Sequence, residues 1–380
     1  MAKINFTLRA KITQVAKLVR TISDTVTVIV FSEPGVGKTS ILSLIAEMNG
    51  DEWRSPRDTK VYEDDKYDYI YVDCPTKEMM DVAANIPNHA SKTLEYYIAS
   101  IFKMTGARAN VPKIIMLDEF AKSPKLLQII FTRLMLERML GDAALPPGSM
   151  VFGTSNNATD GVGDAMLAHA GNRICKVSME KPSTEEWCSW AARQVPPVPR
   201  PIRAWVAMTP KAMFSYLDLS DEELRANELI FNPKNTGKQF VSPRSLALSS
   251  PIVRNKDVLG EDLMMTALAG TIGEAGARAM SSFIMLEDKL MPFKEVLKDP
   301  KNCKVPDDIS VLLMMMMEAI DTVDNHDDLC DYMDFVNRIK HGELVQSIFF
   351  TMIMRNKPKL GSRNDQIKKW AVENHHLLQN

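Results

Sequence analysis

The stretch FSEPGVGKTS, residues 31–40, follows a run of apolar residues and leads into a helical pattern. Gly35 and Gly37 would let successive backbone N–H groups converge on one anion, because glycine has no Cβ to block the approach. A helix that begins near Lys38 would add the partial positive charge of its N-terminus at the same point. The stretch therefore predicts a phosphate-binding loop, and the alternative is a glycine-rich turn without a ligand.

One position departs from the usual pattern G-x-x-x-x-G-K-[ST], because Ser32 stands where the first glycine is expected. Lys38 would reach the β- and γ-phosphates of a nucleotide, and the Thr39 hydroxyl would hold Mg²⁺. Ser32 lies outside the converging amides, so we expect it to affect nucleotide affinity more than binding itself. The residues predicted to contact the nucleotide in this loop are Glu33, Pro34, Gly35, Val36, Gly37, Lys38, Thr39 and Ser40.

The composition is that of a globular chain. Of its 380 residues, 45% are hydrophobic and 25% are charged, which excludes a disordered protein. The formal net charge of −2 gives no overall positive field that would attract nucleic acid or an acidic membrane. Nucleic acid is therefore an unfavoured partner.

The cysteines and the N-terminal sequence indicate in which cellular compartment the protein is located. The five cysteines are widely spaced and form no C-x-x-C pair, which is typical of reduced thiols. The N-terminus alternates apolar and basic residues like an amphipathic helix and lacks the apolar centre of a secretion signal. No apolar run approaches the roughly 20 residues that a membrane span needs. We therefore expect a cytoplasmic protein without a membrane partner.

Strand-like and helical segments alternate in the first half of the chain. Strand-like runs occur at TVTVIVF (25–31), YDYIYVD (67–73), KIIMLDEF (113–120) and SMVFGTSNN (149–157). A helix is predicted between the last two runs, closed by Gly141. Strands that alternate with helices form parallel sheets, so the sequence predicts an α/β fold with a parallel sheet sandwiched by helices.

Acidic and amide residues follow two of these runs, at the strand ends where open α/β sheets bind ligands. Asp118 would support Mg²⁺ through its water shell, and Glu119 would accept a proton from the water that attacks the γ-phosphate. Asn156 could hydrogen-bond both the γ-phosphate and this water, with Asn157 as a competing choice. The alternatives are a solvated strand end for the acids and a turn residue for the asparagine.

Two arginines complete the set of candidate residues. Arg173 precedes the short apolar run ICKVSM, and Arg244 lies at the start of a predicted helix within QFVSPRSLAL. A surface arginine needs no functional explanation, so solvated residues remain the alternative for both.

Five motifs resemble, in order and spacing, those of the AAA+ ATPases, and within them the MoxR-like branch, which carries an insert in helix 2. The motifs are EPGVGKTS, IIMLDEF, VFGTSNN, GNRICKVSMEKP and VSPRSL. In the family they are the Walker A loop, Walker B, sensor 1, the arginine finger and sensor 2, here falling on Lys38 and Thr39, Asp118 and Glu119, Asn156, Arg173, and Arg244. The resemblance, which covers residues 10–290, implies a P-loop NTPase that hydrolyses Mg-ATP.

The resemblance also implies an assembly and a partner. The family forms rings, commonly hexamers, that hold ATP between neighbouring subunits. Arg173 would act in trans on the next subunit's nucleotide, and Arg244 in cis or in trans. By family habit, the ring would remodel or activate a protein with a von Willebrand factor A domain.

Two other functions are compatible with a nucleotide-binding loop. A DNA-directed ATPase of the helicase or loader type is disfavoured by the near-neutral charge and by the lack of an aromatic and basic segment. A nucleotide switch that barely hydrolyses is disfavoured because Glu119 and Arg173 are both present.

The resemblance divides the chain into three domains. These are an AAA+ nucleotide-binding core at 1–178, a small all-α lid with sensor 2 at 179–290, and a helical C-terminal extension at 291–380. Four consecutive methionines at 314–317 are expected to fill core space, with a client-binding groove as the alternative.

The MoxR-like insert would lie within residues 74–112. The segment KMTGARANVP, residues 103–112, would be its mobile tip. Lys103 and Arg108 would then touch a client protein.

Overall fold

The computed structural model describes residues 9–51, 65–157, 172–235, 237–340, 342–375 and 378. Contacts divide the chain into two compact units, Met1–Glu180 and Lys181–Asn380. The first unit combines strands and helices, and the described elements of the second are helical.

The first unit contains all the described strands and the first three helices. The strands are β1 (Arg9–Ala10), β2 (Thr27–Ser32), β3 (Asp68–Asp73), β4 (Ala83–Asn88), β5 (Thr93–Ile98), β6 (Lys113–Asp118), β7 (Met139–Leu140), β8 (Ala143–Ala144), β9 (Met150–Asn156) and β10 (Ile174–Met179). The helices are α1 (Ile12–Ile22), α2 (Ser40–Asn49) and α3 (Lys125–Glu137).

Six strands form one sheet in the order β1-β10-β2-β9-β6-β3, and every neighbouring pair in it is parallel. Each predicted strand-like run supplies one strand of this sheet. The carboxyl ends of β2, β9 and β6 are neighbours at one edge, because Ser32 pairs with Asn156 and Leu117 pairs with Gly153. The parallel direction therefore brings three sequence-distant segments together.

Helices cover both faces of the sheet, as β6 shows. Ile114 and Met116 lie in a hydrophobic cluster with side chains of α1 and α2. Ile115 and Leu117, which point the other way, lie in a second cluster with side chains of α3. Burial of each such side chain contributes about 1.5–3 kcal/mol relative to exposure. The predicted sandwich of a parallel sheet between helices is confirmed.

The prediction that Gly141 closes the helix after β6 is wrong. Helix α3 ends at Glu137, because Arg138 takes the left-handed conformation with φ 57°. The Arg138 guanidinium donates to Thr27 Oγ1 and to the Ser23 carbonyl, both at 2.8 Å, which ties the helix end to β2. Gly141 instead serves the turn between β7 and β8 with φ 55°.

Within residues 103–112, the predicted tip of the insert, the structure buries Arg108, and the mobility of the segment stays a prediction. Residues 74–112 contain the antiparallel hairpin of β4 and β5 and short 3₁₀ turns instead of a helix with an insert. Arg108 is only 6% exposed, and its Nε donates to Asp68 Oδ1 at 3.0 Å. Lys103 Nζ donates to the same oxygen at 3.1 Å. Arg108 is therefore a buried residue that stabilises this segment through Asp68.

Asp68 anchors this segment at the first residue of β3. The fully buried Lys113 donates from Nζ to Asp68 Oδ2 at 2.7 Å, which adds a third cation to the cluster. Burial raises the pKa of Asp68, but the hydrogen bonds from Lys113 and Lys103 outweigh it and hold this pKa below its ordinary value of 3.8. The ionised carboxylate is thus the form that the folded protein stabilises.

The second unit consists of helices and short turns in its described residues. The helices are α4 (Thr184–Ala192), α5 (Arg200–Met208), α6 (Asp221–Ala226), α7 (Pro243–Leu248), α8 (Ser250–Arg254), α9 (Lys256–Leu286), α10 (Phe293–Val296), α11 (Ile309–Thr322), α12 (His326–Val336), α13 (Glu343–Asn356), α14 (Pro358–Gly361) and α15 (Asp365–Glu373). In the described part of the chain, none of the helices has the length and apolar character to cross a membrane.

One hydrophobic core extends through the second unit, from Trp187 to Ile367. The methionines at 314–317 are at most 1% exposed within it, so they fill core space as expected and do not form a groove. Residues on both sides of position 290 share this core, so packing does not separate the lid and extension predicted from the sequence. Those domain bounds stay a prediction.

We predict that Asp68→Asn lowers the free energy of unfolding by about 3–5 kcal/mol, because it leaves the buried Lys113 ammonium without its charge partner. Urea denaturation at pH 7 measures the change. The exposed pair of Asp221 and Lys234 provides the control, since Asp221→Asn should leave stability unchanged. An equal effect of the two substitutions would contradict the anchoring role.

The same carboxylate predicts a pH dependence. Because the pKa of Asp68 is lowered on folding, its stabilisation is complete above pH 3.8 and is lost as the pH falls through the lower folded-state pKa. The stability difference between the parent protein and Asp68→Asn should therefore shrink in acid. A difference that stays constant from pH 7 to pH 3 would argue against this linkage.

Candidate active site

The glycine-rich loop connects the end of β2 at Ser32 with the start of α2 at Ser40. Gly35 has φ 76° and Gly37 has φ 100°, a region that residues with a Cβ rarely adopt. A Cβ on Gly37 would meet only Ser40 Oγ at 3.9 Å, so conformation and not crowding requires glycine there. The loop thus leads directly to a ten-residue helix whose N-terminus favours an anion.

Lys38 is buried in this loop, with 5% of its surface exposed. Its Nζ donates to Asn156 Oδ1 at 2.7 Å, to Ser32 Oγ at 3.2 Å and to the Glu33 carbonyl at 3.2 Å. A buried ammonium is costly unless hydrogen bonds compensate for lost water, and these three oxygens provide that compensation. The contact with Asn156 joins the loop to the end of the neighbouring strand β9.

Asn156 also contacts the candidate general base. Its Nδ2 donates to Glu119 Oε1 at 3.2 Å, and Lys122 Nζ donates to Glu119 Oε2 at 2.5 Å. The amide therefore presents its oxygen to a cation and its nitrogen to a carboxylate. We call the residues joined by these bonds the polar line: Lys38, Asn156, Glu119 and Lys122.

Asp118 is held by two hydroxyl groups that the sequence reasoning missed. Tyr71 OH donates to Asp118 Oδ2 at 2.8 Å, and Thr154 Oγ1 donates to Oδ1. The backbone N–H of Glu119 donates to Thr154 Oγ1 at 3.2 Å, so one threonine positions both acids. The available signal was spacing, since Thr154 lies two residues before Asn156 and shares its face of β9.

Glu119 has an uncommon backbone conformation for a non-glycine residue, with φ 49° and ψ 37°. The left-handed region costs roughly 1–2 kcal/mol for a residue with a Cβ. The hydrogen bond from its N–H to Thr154 helps to hold it there. Residues in such strained conformations cluster at active sites and ligand-binding segments.

The residues predicted to hold Mg²⁺ fit that ion chemically. Thr39 immediately precedes α2, and Asp118 ends β6. A hydroxyl and a carboxylate are the hard oxygen donors that Mg²⁺ prefers, and Mg²⁺ completes its shell with water and phosphate oxygens. Among the described residues, no group of three or more His, Cys, Asp or Glu could hold a metal alone.

The structure does not bring Arg173 to the loop of its own chain. Arg173 is exposed and directly precedes β10, whose first residue, Ile174, pairs with Thr27 at the start of β2. The glycine-rich loop follows the other end of β2, at Ser32, roughly 17 Å away along the strand. Arg173 thus lies at the opposite edge of the sheet.

Arg244 belongs to the second unit. It is exposed in the first turn of α7, where Pro243 precedes it and Ser242 caps the helix by accepting from Ser245 N–H at 3.1 Å. Its role in nucleotide binding stays a prediction. Of the two candidate asparagines, Asn156 supplies the side-chain contacts to Lys38 and Glu119.

No protein-family model and no curated protein matches this sequence. Among solved structures, a RuvB variant from Thermotoga maritima matches with 10% identity over 82% of this chain and 84% of its own, at a TM-score of 0.34. NtrX from Brucella abortus matches with 12% identity over 98% of this chain and 68% of its own, at a TM-score of 0.29. A DNA polymerase III gamma subunit-related protein from Thermotoga maritima matches with 11% identity over 97% of this chain and 92% of its own, at a TM-score of 0.32. Likeness this low carries no argument, so the site rests on its own geometry.

We predict that Thr154→Val lowers the free energy of unfolding by about 1–3 kcal/mol, because it removes hydrogen bonds to the Asp118 carboxylate and the Glu119 N–H in a buried place. Urea denaturation measures the change. Thr154→Ser keeps the hydroxyl and should restore most of the stability. Thr21→Val, at an exposed threonine on α1, is the control, and an equal loss in both valine variants would contradict the assignment.

Proposed function

We propose that this protein is an AAA+ ATPase of the MoxR-like type, which hydrolyses Mg-ATP as a ring of identical subunits. The observation that supports this most is the polar line, because it joins the glycine-rich loop through Lys38 to a carboxylate at the end of β6. A phosphate cradle and a general base are two of the parts that hydrolysis of the β–γ phosphoanhydride bond of ATP uses.

ATP would bind with its phosphates in the loop of residues 33–40. The backbone N–H groups around Gly35 and Gly37 and at the N-terminus of α2 would donate to the phosphate oxygens and stabilise their negative charge. Lys38 would exchange its contacts with Asn156 and Ser32 for the β- and γ-phosphates. A bound Mg²⁺ near Thr39 and Asp118 would supply charge neutralisation of the phosphate oxygens.

Glu119 would accept the proton of the attacking water. Before that, its carboxylate must leave or weaken its pair with Lys122, and this is inexpensive because both side chains are about 30% exposed. Asn156, released when Lys38 moves to the phosphates, would orient the water and the γ-phosphate. The polar line thereby links occupancy of the loop to the state of the base.

Assembly would supply the remaining charge. Since Arg173 lies at the sheet edge opposite its own loop, it would contact the nucleotide of a neighbouring subunit. The interface between the two subunits would be head-to-tail and would close into a ring, such as a hexamer. Arginine fingers contribute about 10³ to 10⁵ in rate. Arg244 would sense the nucleotide from the helical unit, in cis or in trans.

The proposed client rests on the sequence resemblance, and the proposed compartment rests on the pattern of cysteines and the N-terminal sequence. We propose a protein with a von Willebrand factor A domain as the client that the ring remodels or activates. The five free cysteines agree with the cytoplasmic location proposed here.

We predict that Glu119→Gln reduces ATP hydrolysis by about 10²- to 10⁴-fold while ATP binding persists, because the amide cannot accept the proton but leaves the loop intact. Phosphate release measures the rate of hydrolysis, and titration with a fluorescent ATP analogue measures binding. Glu137→Gln, at a half-exposed glutamate on α3, should hydrolyse normally. Full turnover by Glu119→Gln would contradict the proposed base.

We predict that Arg173→Ala and Lys38→Ala are each inactive alone but recover part of the activity when mixed. A mixed interface can place an intact loop from the first variant against an intact arginine from the second. Phosphate release from mixtures at several ratios measures the recovery, with Arg133→Ala replacing Arg173→Ala as the active control. An absence of recovery in mixed assemblies would rule out the shared site.

A further inference from the structure

Ser32 places a hydroxyl beside the lysine of the phosphate loop, where the usual motif has glycine. The side chain is buried at the end of β2, with 1% exposure. Its Oγ donates to the Glu33 carbonyl at 3.2 Å, which leaves its lone pairs free to accept from Lys38 Nζ at 3.2 Å. A glycine at position 32 would offer Lys38 no side-chain acceptor.

We propose that Ser32 is a positioning residue that retains Lys38 in the phosphate-free loop and so lowers the affinity for nucleotides that carry a β-phosphate. The proposal rests on the function proposed above, in which Lys38 contacts the β- and γ-phosphates. Serine in place of the usual glycine at position 32 would therefore weaken nucleotide binding.

The direction follows from what Lys38 must give up. In the structure its ammonium has oxygen partners at Ser32, Glu33 and Asn156, and a phosphate must replace at least one of them. A ligand's apparent affinity falls when the protein must first leave a stable competing arrangement. Removal of the hydroxyl leaves the other two contacts in place, so the lysine stays ordered but is held less strongly.

The test compares Ser32→Ala, Ser32→Gly and Ser32→Thr with the parent protein in binding of fluorescently labelled AMP, ADP and ATP. Alanine and glycine should each tighten ADP and ATP binding about ten- to hundredfold, the worth of one hydrogen bond to a charged group. AMP binding should not change, because AMP has no β-phosphate for Lys38 to contact. Threonine keeps the hydroxyl and should restore the parent affinities.

The nucleotide series separates positioning from a general effect on the loop, which would shift AMP, ADP and ATP alike and would overturn the proposal. Unchanged or weaker ADP and ATP binding in Ser32→Ala would also overturn it, while the proposed ATPase function would stand. If neither the parent protein nor any variant binds ADP or ATP, both proposals fail. Should glycine at position 32 prevent folding, the alanine variant alone decides.

Discussion

The hydrogen bond from the Lys38 ammonium to Oδ1 of the Asn156 side chain is the contact on which the candidate site depends. It joins a loop after β2 to the end of β9, and the same amide continues to Glu119 at the end of β6. A buried ammonium requires such partners, so the polar site is also a constraint on folding. One amide therefore connects the predicted phosphate contact with the predicted base.

The parallel sheet makes this contact possible. All six strands of the sheet point the same way, so their carboxyl ends meet at one edge, and residues 32, 118 and 156 become neighbours although the chain separates them widely. The same rule sends Arg173, which precedes β10, to the opposite edge. The predicted phosphate loop and the exposed Arg173 therefore lie at opposite edges of the sheet within one chain.

The sequence predicted the regular parts of this arrangement because they depend on local patterns. The strand runs and the glycine turn follow from residue type and spacing. Sequence-based prediction was wrong where contacts between side chains far apart in the sequence determine the local structure. Arg138 ends α3 through bonds to Ser23 and Thr27, and Asp68 buries Arg108 within the predicted tip of the insert. Tyr71 and Thr154 could not be assigned before the strands were aligned.

The central claim is that the glycine-rich loop binds a nucleoside triphosphate at the interface between two identical chains. A structure of the protein saturated with a non-hydrolysable ATP analogue tests it most directly. The account predicts Lys38 Nζ within hydrogen-bonding distance of the β- and γ-phosphate oxygens, Asn156 released from it, and Arg173 of a neighbouring copy facing the γ-phosphate. A single chain with Lys38 still bound to Asn156 and Ser32, and with the analogue elsewhere or absent, would contradict it.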